Sequence, residues 1–273
     1  MLTGREAVAQ TGIDAVALKP AECDVSRATE LPVDRVTIDY EGREHLPDPA
    51  TLDRLAAETE LYVTTPVRAD GFDPLGDDSL VDEIPDAARR VLVAGHGAYL
   101  TDGESSRAVA PRLGAARRDA PDAWVGTEGV ERVALAAGGT QFELLTRSTD
   151  RDVRALRAAG FEGEVAVYAP TVLTDDEDAV LDAVGAYVSR RRPVARALPD
   201  GGGSGGGGGT GADASPTDSA ETGRAREVLS AAVRDFALVG SPETVRERVD
   251  DLREAGVDHV VGYPARGIDE FLS

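Results

Sequence analysis

The segment that most constrains the fold is residues 238–264, which has the pattern of one helix followed by one buried strand. Ser241 is a suitable N-cap, and Pro242 fits the first helical position, where its missing N–H costs nothing. Apolar residues then recur along one helix face, and Gly256 is placed to end the helix in a left-handed conformation. Residues 259–261 are short and apolar, as in a strand buried on both faces of a parallel sheet. The unit is therefore an α/β fragment.

Similar units alternate through the chain and predict a (β/α)8 TIM barrel rather than an open doubly wound sheet. Too few residues separate the fifth and sixth predicted strands for a helix, so we expect a somewhat degenerate barrel. A short helix is predicted over residues 142–147, after the sixth strand. The eight predicted strands are residues 13–18, 35–39, 61–65, 91–94, 124–125, 133–136, 165–168 and 259–261.

Residues 199–223 have a different composition, with long glycine runs and small polar side chains. Such a sequence cannot bury apolar surface, so it predicts a flexible Gly/Ser-rich insertion before the last α/β units. The chain after it offers only one helix and the helix–strand unit described above, which is too little to fold alone. We therefore predict one TIM-barrel domain, residues 1–273, with this linker inside it.

The charge of the chain is strongly acidic, at −21, and Lys19 is its only lysine. This surface is typical of proteins from salt-loving archaea, although an ordinary acidic protein would share it. A basic face for nucleic acid is missing, and so is an apolar run long enough to span a membrane. Cys23 is the single cysteine, which excludes a disulfide framework and a cysteine metal cluster. We expect a soluble, cytoplasmic protein that binds neither nucleic acid nor membranes.

Three stretches carry a family resemblance: residues 239–264, VGSPETVRERVDDLREAGVDHVVGYP; residues 166–170, running into the acidic helix start at 174–178; and residues 133–145. Together they resemble the luciferase-like superfamily of barrels, which includes bacterial luciferase and the coenzyme F420-dependent oxidoreductases. Within it they look most like the archaeal deazaflavin-dependent reductases typified by methylenetetrahydromethanopterin reductase. The first stretch is similar to the last helix and strand of that family, and the second resembles another family strand. The third resembles the strand, glycine turn and helix that hold the cofactor phosphate in relatives.

The resemblance implies an oxidoreductase that binds a deazaflavin (F420) or flavin (FMN) and transfers a hydride to or from a small organic substrate. The cofactor would carry the redox chemistry, and the barrel would position it. A homodimer is also implied, since relatives are often dimers. Neither the substrate nor the choice between the two cofactors follows from the sequence.

Candidate site residues follow from the rule that barrel enzymes act at the C-terminal ends of their strands. His96, between two glycines, could act as an acid or hydrogen-bond the cofactor, but it could equally be a turn histidine satisfied by backbone. We predict cofactor binding by Gly138, Gly139, Thr140, Thr64, Thr65 and Tyr168. The strand ends nominate Lys19, Asp39, Thr64, Thr65, His96, Gly138, Gly139, Thr140, Tyr168 and Tyr263.

A second hypothesis is a catalytically degenerate luciferase-like barrel that serves as a binding or partner subunit. A glycine turn closed off by neighbouring side chains would favour it over the enzyme. A metal hydrolase is disfavoured, because the chain has three histidines and no H-x-H or H-E-x-x-H motif. We therefore predict no metal site.

Overall fold

The structure, a computed structural model, describes residues 3–94, 100–126, 131–199 and 217–273, which form a closed parallel barrel of eight strands. The predicted (β/α)8 fold is thereby confirmed. The strands pair in chain order from β1 to β7; β9 then pairs with β7 and with β1, closing the barrel. The two-residue strand β8 extends the sheet from the end of β7. The strands are β1 (Ala15–Leu18), β2 (Arg35–Ile38), β3 (Glu60–Pro66), β4 (Arg89–Val93), β5 (Trp124–Gly126), β6 (Gln141–Leu144), β7 (Val165–Val172), β8 (Leu238–Val239) and β9 (His259–Pro264).

Helices between the strands cover the outside of the barrel. Helix α10, in the segment that opened the sequence argument, begins after the N-cap Ser241 and ends at Gly256 in the left-handed region, as predicted. Within the described residues, none of the helices is long and apolar enough to cross a membrane. The helices are α1 (Gly4–Thr11), α2 (Pro49–Glu58), α3 (Asp102–Ser105), α4 (Val109–Asp119), α5 (Glu131–Ala137), α6 (Thr149–Ala158), α7 (Glu177–Ser189), α8 (Arg192–Ala197), α9 (Gly223–Phe236), α10 (Pro242–Ala255) and α11 (Asp269–Leu272).

Alternate residues of each strand point into the barrel, and the others pack against the helices. The interior cluster combines small and aromatic side chains, among them Ala17, Tyr62, Trp124, Phe142 and Tyr168. The side chains on the outer face form separate aliphatic clusters with the surrounding helices. The interior is therefore packed, and the two ends of the barrel are the places where polar side chains meet.

The predicted elements between residues 133 and 147 are wrong in type. The predicted strand at 133–136 lies within helix α5, and the predicted helix at 142–147 begins as strand β6. Alanine and leucine favour a helix in the first stretch, while Gln141 to Leu144 alternate polar and apolar side chains as a strand does. The crossover helix that seemed missing is thus α5, and the barrel has its full set of strands.

The predicted linker at 199–223 lies mostly outside the described residues. Its described part contacts helices α7 and α9: the backbone N–H of Ser219 donates to Asp182 Oδ1 of α7 at 2.9 Å, and Arg226 of α9 donates to the Ser219 carbonyl at 3.0 Å. Gly223 is the first residue of helix α9. Residue 219 is thus already packed against the outer helices, and the predicted flexibility of the linker stays a prediction.

At the N-terminal end of the barrel, Glu60 joins two neighbouring strands through arginines. Its carboxylate lies 2.8 Å from Arg35 and 2.7 Å from Arg89. Partial burial opposes the charged form, but the hydrogen bond and charge of Arg35 and the charge of Arg89 outweigh it, so the pKa of Glu60 is lowered. The carboxylate therefore stabilises the folded state while it is ionised.

Replacing Glu60 with glutamine should lower the free energy of unfolding by about 1–2 kcal/mol at pH 7, because two partly buried ion pairs are lost. A lowered pKa gives stability above the unfolded-state pKa that disappears as the pH falls, so the deficit should shrink below about pH 4. Urea unfolding at both pH values measures it. Glu247→Gln, an exposed change on α10, is the control. An equal loss in both variants, or a Glu60→Gln deficit that is independent of pH, would contradict the assignment.

Candidate functional site

Asp39 and Tyr168 meet at the C-terminal end of the barrel although 129 positions separate them in the chain. Asp39 directly follows β2, and the hydroxyl of Tyr168, on β7, donates to Asp39 Oδ2 at 3.3 Å. The Tyr168 side chain is buried inside the barrel. Both residues were nominated from the sequence, and the fold brings them into direct contact.

Lys19 and Tyr263 extend this group across the ends of β1 and β9. The Lys19 ammonium lies 4.2 Å from the centre of the Tyr263 ring and 3.1 Å from Glu22 Oε1. The Tyr263 hydroxyl also donates to Glu22. The Tyr263 ring stacks on that of Tyr168, with centroids 6.3 Å apart. We call Lys19, Glu22, Asp39, Tyr168 and Tyr263 the C-terminal cluster.

Burial sets the protonation behaviour of Asp39 and Tyr168. Desolvation raises the pKa of Asp39 from 3.8 to about 7; the nearby charge of Lys19 and the hydrogen bond from Tyr168 offset only part of that rise. Burial and the neighbouring Asp39 carboxylate raise the pKa of Tyr168 well above 10.0, so its hydroxyl stays protonated. A carboxyl group that titrates near neutral pH can both give and take a proton, which is the property of a general acid–base.

The two threonines of β3 point to opposite faces of the sheet, as alternation requires. Thr64 Oγ1 accepts a hydrogen bond from the backbone N–H of Tyr40 at 2.6 Å, which ties the segment after β2 to β3. Thr65 Oγ1 accepts from Arg90 Nε at 3.2 Å on the outer, helix-covered face. Thr64 therefore lies beside the segment that carries Asp39, whereas Thr65 lies away from the barrel interior.

His96, the predicted catalytic residue, lies outside the described residues. The structure accordingly places neither its ring nor the two glycines that flank it. Its role stays a prediction.

The glycine turn at residues 138–140 lies at the opposite end of the barrel from the C-terminal cluster. The predicted phosphate site at Gly138, Gly139 and Thr140 assumed a strand before the turn and a helix after it. The turn instead follows helix α5 and leads into β6. Gly138 and Gly139 adopt positive φ angles of 72° and 84°, which explains glycine there. The strand–turn–helix basis for phosphate binding is therefore wrong.

The side of this turn is closed by Arg117. A Cβ atom on Gly139 would come within 3.0 Å of the Arg117 guanidinium carbon and of the Ala123 carbonyl. The same guanidinium donates to the carbonyls of residues 120, 121 and 123. These contacts close the turn on one side at Gly139, whereas a Cβ atom on Gly138 would meet nothing within 4 Å, and Gly139 and Thr140 line a cavity. The turn is thus only partly closed, so it favours neither the enzyme nor the binding-subunit hypothesis.

A polar cavity of about 560 Å³ lies at the N-terminal end of the barrel, beside this turn. Its lining includes Arg35, Trp124 and His259. His259 is held on both sides, since Nδ1 lies 3.0 Å from Arg35 and Nε2 lies 3.3 Å from Glu164 Oε2. The His259 ring also stacks on Trp124, with centroids 5.5 Å apart. The polar groups at this end therefore pair with one another and stabilise the barrel. In TIM barrels the N-terminal end usually contributes stability, and the C-terminal end carries the active site.

Sequence reasoning did not identify Glu22 as part of the site, because it lies in the segment after β1 rather than at a strand end. It also gave Tyr263 no specific role. The signal that could have found them is the position of Lys19, the single lysine, at the end of the first strand. An isolated ammonium in a barrel mouth requires a carboxylate and favours an aromatic ring nearby.

Solved structures with the same fold include two F420-dependent enzymes. The coenzyme F420-dependent tetrahydromethanopterin reductase from Methanopyrus kandleri matches with a TM-score of 0.60 and 15% identity, over 95% of this chain and 96% of that one. An F420-dependent secondary alcohol dehydrogenase, solved with an F420–acetone adduct, matches with a TM-score of 0.59 and 11% identity, over 95% and 96%. Apo-MsnO8 matches with a TM-score of 0.54 and 14% identity, over 96% of each chain.

These likenesses show the luciferase-like barrel fold, and their identities are too low to show more. No protein of curated function matches the sequence significantly. The family model that does match covers residues 8–271, from helix α1 to helix α11. The chain therefore belongs to DUF7388, described as a family of unknown function.

Proposed function

We propose that this protein is an oxidoreductase that binds a deazaflavin or flavin at the C-terminal end of its barrel and transfers a hydride to or from a small organic substrate. The observation that carries the proposal is Asp39, a carboxyl group with a pKa of about 7 at the mouth of a luciferase-like barrel. Two structural neighbours at this fold are F420-dependent, and one of them is a secondary alcohol dehydrogenase.

The C-terminal cluster suits the polar edge of a flavin-type ring. Lys19 can donate to a carbonyl oxygen, and the neutral Asp39 carboxyl can donate or accept. The stacked rings of Tyr168 and Tyr263 offer a flat apolar wall beside these groups. A bound deazaflavin or flavin would supply the hydride chemistry.

Residues of the chain would donate or accept the proton that accompanies the hydride. When a carbonyl is reduced, neutral Asp39 gives its proton to the substrate oxygen, and when an alcohol is oxidised its carboxylate takes that proton. The Tyr168 hydroxyl, 3.3 Å from Asp39 Oδ2, stabilises the carboxylate left behind. The positive charge of Lys19 acts in the same direction. Burial at the barrel mouth keeps this exchange away from bulk water.

Spectroscopic titration of the purified protein with the deazaflavin coenzyme and with FMN tests the proposal. We expect one of them to bind at roughly tens of micromolar or tighter. Lys19→Gln should weaken binding about tenfold through loss of a charge-assisted hydrogen bond, whereas Arg132→Gln, an exposed change on α5, should leave it unchanged. If neither cofactor binds at these concentrations, the proposal fails.

The second candidate function is a binding or partner subunit that keeps the barrel without redox activity. The observation in its favour is that residues 138–140 follow helix α5 and lead into β6, so the strand–turn–helix cradle expected for a cofactor phosphate does not form there. Failure of both cofactors to bind, together with co-purification of a stoichiometric protein partner, would support it. The predicted homodimer and cytoplasmic location belong to the enzyme proposal, and sedimentation velocity in high salt measures the oligomeric state.

A further inference from the structure

A second cavity, of about 780 Å³, lies outside the barrel between helices α8 and α9 and the turn from β6 to α6. Five arginines line it: Arg147, Arg151, Arg191, Arg192 and Arg224. We call this cavity the arginine groove. Its arginines come from three separate parts of the chain, so the cavity is a product of the fold and not of one basic run.

The arginine groove is lined by more basic than acidic side chains, whereas the protein as a whole is acidic. Two acidic side chains, Glu227 and Asp235, line it beside the five arginines, in a protein whose net charge is −21. Arg224 pairs with Glu227 at 3.2 Å and Arg151 with Asp152 at 2.9 Å. Arg147 and Arg192 are exposed and have no ion pair within the described part of the chain. The Arg192 guanidinium therefore has no ion-pair partner among the described residues, and the Arg147 guanidinium interacts with the Asp235 carboxylate of the same groove without forming an ion pair with it.

Apart from Thr146 and Ser148, the rest of the lining is apolar. Val194 and Phe236 are nearly buried, and Val228 and Ala231 complete a surface along facing sides of α8 and α9. An apolar lining with a few converging charged groups is the usual composition of a small-molecule site. Guanidinium groups match phosphate and carboxylate oxygens through paired hydrogen bonds.

The occupant should be small. A long polyanion such as nucleic acid would meet the repulsion of the acidic surface, whereas a compact anion within the groove meets mainly the arginines. From these observations we propose that the arginine groove binds a small organic anion that carries at least two phosphate or carboxylate groups. This site is separate from the C-terminal cluster and does not depend on the proposed redox function.

Isothermal titration calorimetry with pyrophosphate and with citrate, in the absence of any redox cofactor, tests the groove. Both probes are titrated at the lowest ionic strength at which the protein stays folded, because salt screens such contacts. Arg147→Gln/Arg192→Gln should weaken binding about 30- to 100-fold, since each charge-assisted contact contributes roughly tenfold or less. Arg132→Gln, an exposed arginine on α5 outside the groove, should change the dissociation constant less than about twofold.

Each outcome decides the proposal. Tighter binding of pyrophosphate identifies a phosphorylated ligand, and tighter binding of citrate identifies a polycarboxylate. Either result supports the assignment to the arginine groove if the double variant weakens binding and Arg132→Gln does not. The assignment is overturned if neither probe binds at millimolar concentration, or if Arg132→Gln weakens binding as much as the double variant. Since the substituted side chains are exposed, circular dichroism should show an intact fold; if it does not, the two single variants replace the double one.

Discussion

Replacing Asp39 with asparagine should slow hydride transfer by about 100- to 10,000-fold, the usual contribution of a general acid–base. Asparagine keeps the size of the side chain but cannot release a proton. The rate is measured from the absorbance of the deazaflavin or FMN, whichever binds, with a panel of small secondary alcohols and ketones. Asp34→Asn, an exposed change before the same strand β2, is the matched control and should keep the wild-type rate.

The same variant gives a stability measurement that needs no substrate. Because the folded-state pKa of Asp39 is raised to about 7, its stabilising contribution is complete below about pH 4 and is lost as the pH rises through 7. Asparagine resembles the neutral acid at every pH. Asp39→Asn should therefore match the wild type near pH 4 and exceed its free energy of unfolding at pH 8 by on the order of 2 kcal/mol, after allowance for solvent screening.

These two readouts separate the chemistry from the environment. If Asp39→Asn is more stable than the wild type at pH 8 but transfers hydride at the wild-type rate, the pKa of Asp39 is raised but Asp39 is not the general acid–base. An Asp39→Asn variant that is equally destabilised at both pH values would contradict the protonation argument itself.

Replacing Asp73 with alanine should lower the free energy of unfolding by about 3 kcal/mol. The Asp73 side chain is 1% exposed and lies 2.8 Å from Arg112 and 3.2 Å from Arg107. It also accepts the backbone N–H of Leu75 at 3.1 Å. Its removal leaves two guanidinium groups and one N–H without a buried partner, and it releases the segment after β3 from helix α4.

Asp70→Ala is the control for this prediction, because Asp70 also pairs with Arg107, at 2.8 Å, but its side chain is 75% exposed. An exposed pair contributes about 0–1 kcal/mol. Urea unfolding at pH 7 compares the two variants. If Asp70→Ala lowers the free energy of unfolding as much as Asp73→Ala does, burial does not determine the strength of these ion pairs.

Most of the barrel could be predicted because its strands have a strong local pattern. The runs at 61–65 and 165–168 are short, apolar and rich in β-branched residues, and both are strands in the structure. The error at residues 133–147 arose because a short apolar run without flanking signals fits a helix and a strand equally well. Residues 141–144 have the alternation of a strand over only four residues, and their pairing with β5 and β7 confirms that they form one.

The candidate site was predicted in part. The rule of strand ends nominated Lys19, Asp39, Tyr168 and Tyr263, which the fold does bring together. That rule could not give the raised pKa of Asp39, which depends on burial by distant elements. It also misplaced Gly138 to Thr140, since the wrong strand put the turn at the wrong barrel end. The arginine groove has no local pattern, because its arginines are far apart in the chain.

The closure of the barrel between its first and last strands has a consequence for how the protein folds. Val260, in β9, donates to Asp14 at 2.8 Å across 246 positions of sequence. Contacts of such separation slow folding, because the chain must close a very long loop before they form. A ribosome-bound or proteolysed chain that ends before His259 would expose the edges of β1 and β7 together, and exposed parallel edges invite aggregation. Synthesis of β9 is thus the step that converts an aggregation-prone open sheet into a closed barrel.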